Sequence, residues 1–123
     1  MTRPISAYER PGHVNAEGEL EALGLPIAEK FLLYAQKLIS GRIDHLALQP
    51  FADYKGVPTY MASFGKALVF FAVQDAADEG ISVTVMLALR RRPCVVDGVR
   101  WNGADFSLLR DEILMPRLQD YLP

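Results

Sequence analysis

Residues 67–89 read ALVFFAVQDAADEGISVTVMLAL, and this stretch decides the fold. Ala67 to Val73 is an unbroken apolar run rich in β-branched and aromatic residues. It is far short of the ~20 residues of a membrane span, and it reads as a central strand apolar on both faces. Ile81 to Leu89 alternates. Ile81, Val83, Val85, Leu87 and Leu89 take one face, and Ser82, Thr84, Met86 and Ala88 take the other. The polar run Asp75 to Gly80 reads as the turn between them.

The strand pattern extends both ways. Thr59 to Phe64 is a third strand, joined to Ala67 through the tight turn Gly65-Lys66. Asp97-Gly98 links Cys94-Val95-Val96 to Val99-Arg100-Trp101, and that pair favours a hairpin turn needing positive φ at both central positions. His45 to Gln49 reads as a short edge strand followed by a loop.

Helices flank the strands. Asn15 is placed to cap Ala16 to Leu23, with Glu17 and Glu19 in the first turn and Gly24 as the stop. Pro26 suits a first helical position, and Ile27, Phe31, Ala35 and Leu38 form an apolar stripe, so a helix is expected from 26 to 40 with Gly41 after it. Phe106, Leu109 and Ile113 mark a last helix from Asp105, which Pro116 should kink or restart. Residues 1–14, with Pro4, Pro11 and Gly12, read as an irregular arm. The expected fold is a single α+β domain over residues 1–123. Its core is an antiparallel meander of four or five strands, with an N-terminal and a C-terminal helix packed on one sheet face. The other face would then carry Ser82, Thr84, Met86 and Ala88. A surface neither fully polar nor fully apolar is expected to be a homodimer interface or a shallow ligand surface.

Composition narrows the function. The chain has 123 residues, 50% hydrophobic and 23% charged, with a net charge of −2. That excludes disorder as the main description. A dedicated nucleic-acid binder is usually basic overall, so nucleic acid is not the expected partner. One cysteine, Cys94, excludes an internal disulfide, and with two histidines it excludes a Cys/His zinc cluster. No charged-then-apolar leader is present, and a cytoplasmic setting is expected. No phosphate loop, dinucleotide fingerprint or nucleophile elbow occurs, so no cofactor is expected.

The candidate site residues are few. Arg90, Arg91 and Arg92 form a run at a strand end and could grip a phosphate, a carboxylate or an acidic partner. Adjacent strand residues point to opposite faces, so at most two of the three share a site unless the chain turns. Tyr54, Tyr60 and Trp101 are the candidate aromatic anchors. His45 beside Asp44, and His13 in the arm, are weaker candidates for acid–base work. Cys94 reads as a small buried hydrophobe. Asp75, Asp78 and Glu79 lack the ligand spacing of a calcium loop and read as a solvated turn. No metal ligand set is identified.

The order helix, three-stranded meander, basic residues, terminal helix is loosely similar to the RelE/HigB-like toxin nucleases, over about residues 26–93. That resemblance implies cleavage of messenger RNA by basic, Tyr or His residues near the sheet. The matching positions would be Lys66, Arg90, Arg92, His45 and Tyr60. The leading expectation is different: a small non-catalytic interaction protein of the inhibitor, immunity or phage and mobile-element accessory type. It would bind an acidic protein surface through aromatic anchors and the arginine cluster. A third reading is a small-molecule binder on the open sheet face, lined by Tyr60, Met86 and Trp101.

Overall fold

The computed structural model describes residues 5–12, 14–76 and 80–122. Pro4, His13, Asp78 and Glu79 lie outside the described residues. In chain order the elements are β1 (Ile5–Ala7), β2 (Glu9–Arg10), β3 (Val14–Asn15), α1 (Ala16–Ala22) and α2 (Leu25–Ile39). Then follow β4 (Ala52–Tyr54), β5 (Val57–Phe64), β6 (Ala67–Asp75), β7 (Ile81–Arg90), β8 (Cys94–Val96) and β9 (Val99–Trp101). The chain closes with α3 (Phe106–Leu108), a π-helical segment (Leu109–Leu114) and α4 (Met115–Tyr121). Local chemistry fixes several boundaries. The Asn15 side chain accepts from Gly18 N–H at 3.0 Å and caps α1, and Asp105 accepts from Leu108 N–H at 3.0 Å and starts α3. Asp97 and Gly98 have φ of 52° and 78°, as the β8–β9 turn demands. The π-helical segment precedes Pro116, whose missing N–H the restarted helix places in its first turn.

The main sheet has the order β1-β7-β6-β5-β4. β4 to β7 form the expected antiparallel meander, but the sheet is mixed. β1 comes from the arm read as irregular and pairs parallel to β7, Ile5 with Val83 and Ala7 with Val85. The expected strand at His45 to Gln49 is corrected too. Asp44 accepts from Leu46 N–H at 2.9 Å and winds His45–Ala47 into a 3-10 turn, so the edge strand falls later, at β4.

The placement of helices on one face is also corrected. Phe70 and Phe71 are adjacent on β6 and point to opposite faces, and each anchors its own layer. Phe71 packs against Phe31 and Tyr34 of α2 at centroid distances of 5.6 and 5.9 Å. Phe70 packs against Phe51 at 5.0 Å, and Phe51 in turn meets Phe106 of α3. α2 therefore covers one face and the C-terminal helical run covers the other. The two layers cover the part of the sheet where an interface of Ser82, Thr84, Met86 and Ala88 is expected from the sequence, and Ser82 is half-buried. Thr84, Met86 and Ala88 are buried.

A bulge explains why simple alternation fails along β7. Val85 stands opposite Phe71 and Leu87 opposite Phe70, which leaves Met86 without a cross-strand partner. Side chains after it change face. Leu87 and Leu89 share the side of Phe70 and Leu68, not that of Val83 and Val85. Beneath the C-terminal helix, one transverse row crosses all five strands as Ala52, Thr59, Ala72, Thr84 and Ser6. These residues are small, which leaves room for a helix, and Tyr121 of α4 meets the Thr84 hydroxyl at 3.2 Å. Among the described residues, no helix is long and apolar enough to cross a membrane.

Candidate functional site

β1 covers β7 only as far as Val85, whose carbonyl accepts from Tyr8 N–H at 2.7 Å. Beyond it, the outer edge of β7 would be an unpaired ladder. Side chains take over there. Arg117 of α4 donates Nη1–H to Met86 O at 2.8 Å, Glu19 of α1 accepts from Ala88 N–H at 3.4 Å, and Arg90 donates Nη2–H to Leu23 O at 3.0 Å.

Arg117 is the centre of this arrangement and is only 3% exposed. It forks onto Glu19 through Nη1 and Nη2, each at 2.8 Å, and onto Asp97 through Nε and Nη2 at 2.8 and 3.2 Å. With Met86 O, all five of its N–H groups are matched. Burial alone would lower the pKa of the guanidinium, but hydrogen bonds and charge from Glu19 and Asp97 outweigh it and raise it. One side chain thus ties α1, β7, the β8–β9 turn and α4 together.

A cleft opens beside this tie, lined by Glu19, Ala22, Leu23, Ala88, Leu89, Arg90, Arg92, Cys94 and Val96. Arg90 and Arg92 share it. Arg91 does not: its Nε–H reaches Gly103 O at 3.4 Å and its guanidinium lies 5.2 Å from the Phe106 ring, on the opposite side of the sheet. The turn carrying them is packed tightly, because a Cβ on Gly103 would lie 2.9 Å from the Arg92 backbone. Gly103 also has φ of 84°, so glycine is required there. Among the described residues, no carboxylate lies within ion-pairing distance of Arg90, Arg91 or Arg92. Both oxygens of Glu19, the acid in the cleft, are engaged by Arg117. Burial pushes the Cys94 thiol pKa up against the opposing pull of Arg92, so it is a poor nucleophile.

The aromatic candidates lie elsewhere. Trp101 is 1% exposed, packs on Phe106 and donates Nε1–H to Asp105 O at 2.8 Å. Tyr60 is 4% exposed and stacks on Phe71 beneath α2. Burial, with help from Asp44 and Asp53, raises its pKa. Tyr54 is half-buried on β4, with Lys55 Nζ 5.5 Å from its ring centre. Neither Tyr60 nor Tyr54 lines the arginine cleft. Of the residues named by the nuclease resemblance, Lys66 lies beside the arginine run, its carbonyl accepting from Arg91 N–H at 2.6 Å, but Tyr60 and His45 do not join them. Tyr60 lies four residues inside β5 from Phe64, roughly 13 Å before the turn that carries Lys66. His45 lines a separate cleft with Asp75 and Ile81, at the start of β7 rather than its end. Among the described residues, no group of three or more His, Cys, Asp or Glu side chains is placed to hold a metal ion.

Sequence reasoning named Arg90 and Arg92 as candidates and did not connect Glu19, Asp97 and Arg117. The available signal was Arg117 itself, a charge set within the apolar stripe of Ile113, Leu114 and Leu118. Comparison with protein-family models, with curated proteins and with solved structures finds no match.

Proposed function

We propose that this chain is a small non-catalytic interaction domain that holds an acidic segment of another protein in the cleft between α1 and the end of β7. The observation that carries this reading is the pair Arg90 and Arg92. They share one cleft, one of them is anchored on a backbone carbonyl, and neither has a carboxylate at ion-pairing distance among the described residues. Guanidiniums held in this way favour carboxylates, with planar two-point recognition. Leu23, Leu89 and Val96 add apolar wall for the segment's aliphatic stems. Arg91, on the far side of the sheet, extends the positive potential that steers the partner in but does not touch the same ligand. This reading keeps the chain in a reducing, cytoplasmic setting, where its single thiol stays free.

The test uses a fluorescent hepta-glutamate peptide and the full chain. Anisotropy at low salt is expected to show binding that weakens as salt rises. The double variant Arg90→Ala, Arg92→Ala should bind about tenfold or more weakly, which is about 1.4 kcal/mol. Arg42→Ala, at the other end of the sheet, should bind as the parent does. Absence of binding, or equal loss from Arg42→Ala, contradicts the reading.

A further inference from the structure

α2 buries Ala28, Phe31, Ala35 and Leu38 and turns another set of side chains outward. Leu25 is 70% exposed, Leu33 60% and Leu32 39%. Leu32 and Leu33 lie in the middle of the helix and outside the arginine cleft, whereas Leu25, in its first turn, follows Leu23 of the cleft wall by two residues. Glu29 and Lys37 lie one helical turn to either side of Leu33, on the same outer stripe. Neither has an ion-pair partner among the described residues.

We infer that this face docks a second copy of the chain, with two α2 helices packed antiparallel about a twofold axis at Leu33. The charge pattern points to that occupant. In such a pair, the residue n places before Leu33 meets the residue n places after it on the other copy. Glu29 then faces Lys37 of the second copy, and Lys37 faces its Glu29, so two opposite-charge pairs flank the central leucines. A parallel pairing would set like charges together. Leu25 falls opposite Gly41 of the second copy. That position has open space, beside a shallow cleft lined by Leu33, Gln36, Lys37, Ser40 and Arg42. The exposed Leu25 side chain fills that cleft. The dimer expected from an open sheet face is thereby moved to α2, with its centre at Leu33 outside the arginine cleft.

A 15-residue helix is about 22 Å long. An interface limited to one helix of this length is small, and weak association, with dissociation in the micromolar range, is expected. Sedimentation equilibrium on the full chain, up to about 100 μM, reads it directly. The parent should sediment as a monomer–dimer mixture, and Leu33→Asp as a monomer throughout. Lys37→Glu alone should weaken the dimer about tenfold. Adding Glu29→Lys should restore it to within about threefold, because the swapped charges again face opposite partners. A parent that stays monomeric, a dimer indifferent to Leu33→Asp, or a charge swap that fails to restore pairing overturns the inference. All three outcomes are separable from failure of the peptide assay, which reads Arg90 and Arg92.

Discussion

Arg117 and Glu19, 98 residues apart in sequence, meet in a two-point ion pair with both contacts at 2.8 Å. The pair also satisfies β7 where β1 stops, through Met86 O and Ala88 N–H. It therefore acts in place of a missing strand, and its Glu19 lines the arginine cleft.

Removing Arg117 should be costly. Arg117→Met keeps the apolar stem but leaves two carboxylates and Met86 O without their donor. A loss of about 3 kcal/mol is expected, the low end for a broken buried pair because Glu19 and Asp97 are partly exposed. Arg117→Lys retains the charge but is a point donor, and it should recover at most roughly half of that loss. Urea unfolding midpoints check both. A change within about 0.5 kcal/mol for Arg117→Met would mean the tie is incidental.

Tyr8 predicts an alkaline limit. Its hydroxyl donates to Asp120 at 2.6 Å. Burial, followed by that carboxylate, pushes its pKa up to about 12. The folded chain thus holds the proton where the unfolded chain, near the ordinary value of 10.0, has released it. The stabilisation is complete below about pH 10 and is lost as pH rises toward 12. Tyr8→Phe should flatten this fall in unfolding free energy. An unchanged slope between those limits would assign it to other groups, Tyr34 and Tyr60 first, whose pKa values burial also raises.

Thr59 offers a gain. Its hydroxyl is fully buried and has no hydrogen-bond partner among the described residues. Thr59→Val keeps the shape and removes the stranded polar group, so stability should rise by about 1 kcal/mol. A loss of similar size in thermal unfolding would show that the hydroxyl has a partner in solution.

The sequence was most legible where contacts are local. The α2 stripe of Phe31, Ala35 and Leu38, the Asn15 cap and the Asp97-Gly98 turn depend on neighbours a few residues away, and all three appear as read. β1 was not legible, because three residues carry no periodicity and their partner lies 78 residues downstream. The second covered face was half visible. An apolar run such as Ala67 to Val73 needs cover on both sides, and Phe70 beside Phe71 says so. The bulge at Met86 hid the corresponding signal in β7 by switching Leu87 and Leu89 to the other face. In the site, β7 ends at Arg90, so the placing of Arg91 away from the cleft lined by Arg90 and Arg92 is set by the turn that follows and not by strand alternation. Glu19 and Asp97 escaped notice because a lone acid in a helix or turn looks solvated until its partner arrives from elsewhere in the chain.

The most direct test of the account is a titration of the 15N-labelled full chain with the hepta-glutamate peptide, followed by amide chemical shifts. The account predicts shifts confined to Ala22, Leu23 and residues 88–96, with little change along α2 or beside His45. Shifts centred on those other regions, or none at low salt, would contradict the placing of an acidic partner between Arg90 and Arg92.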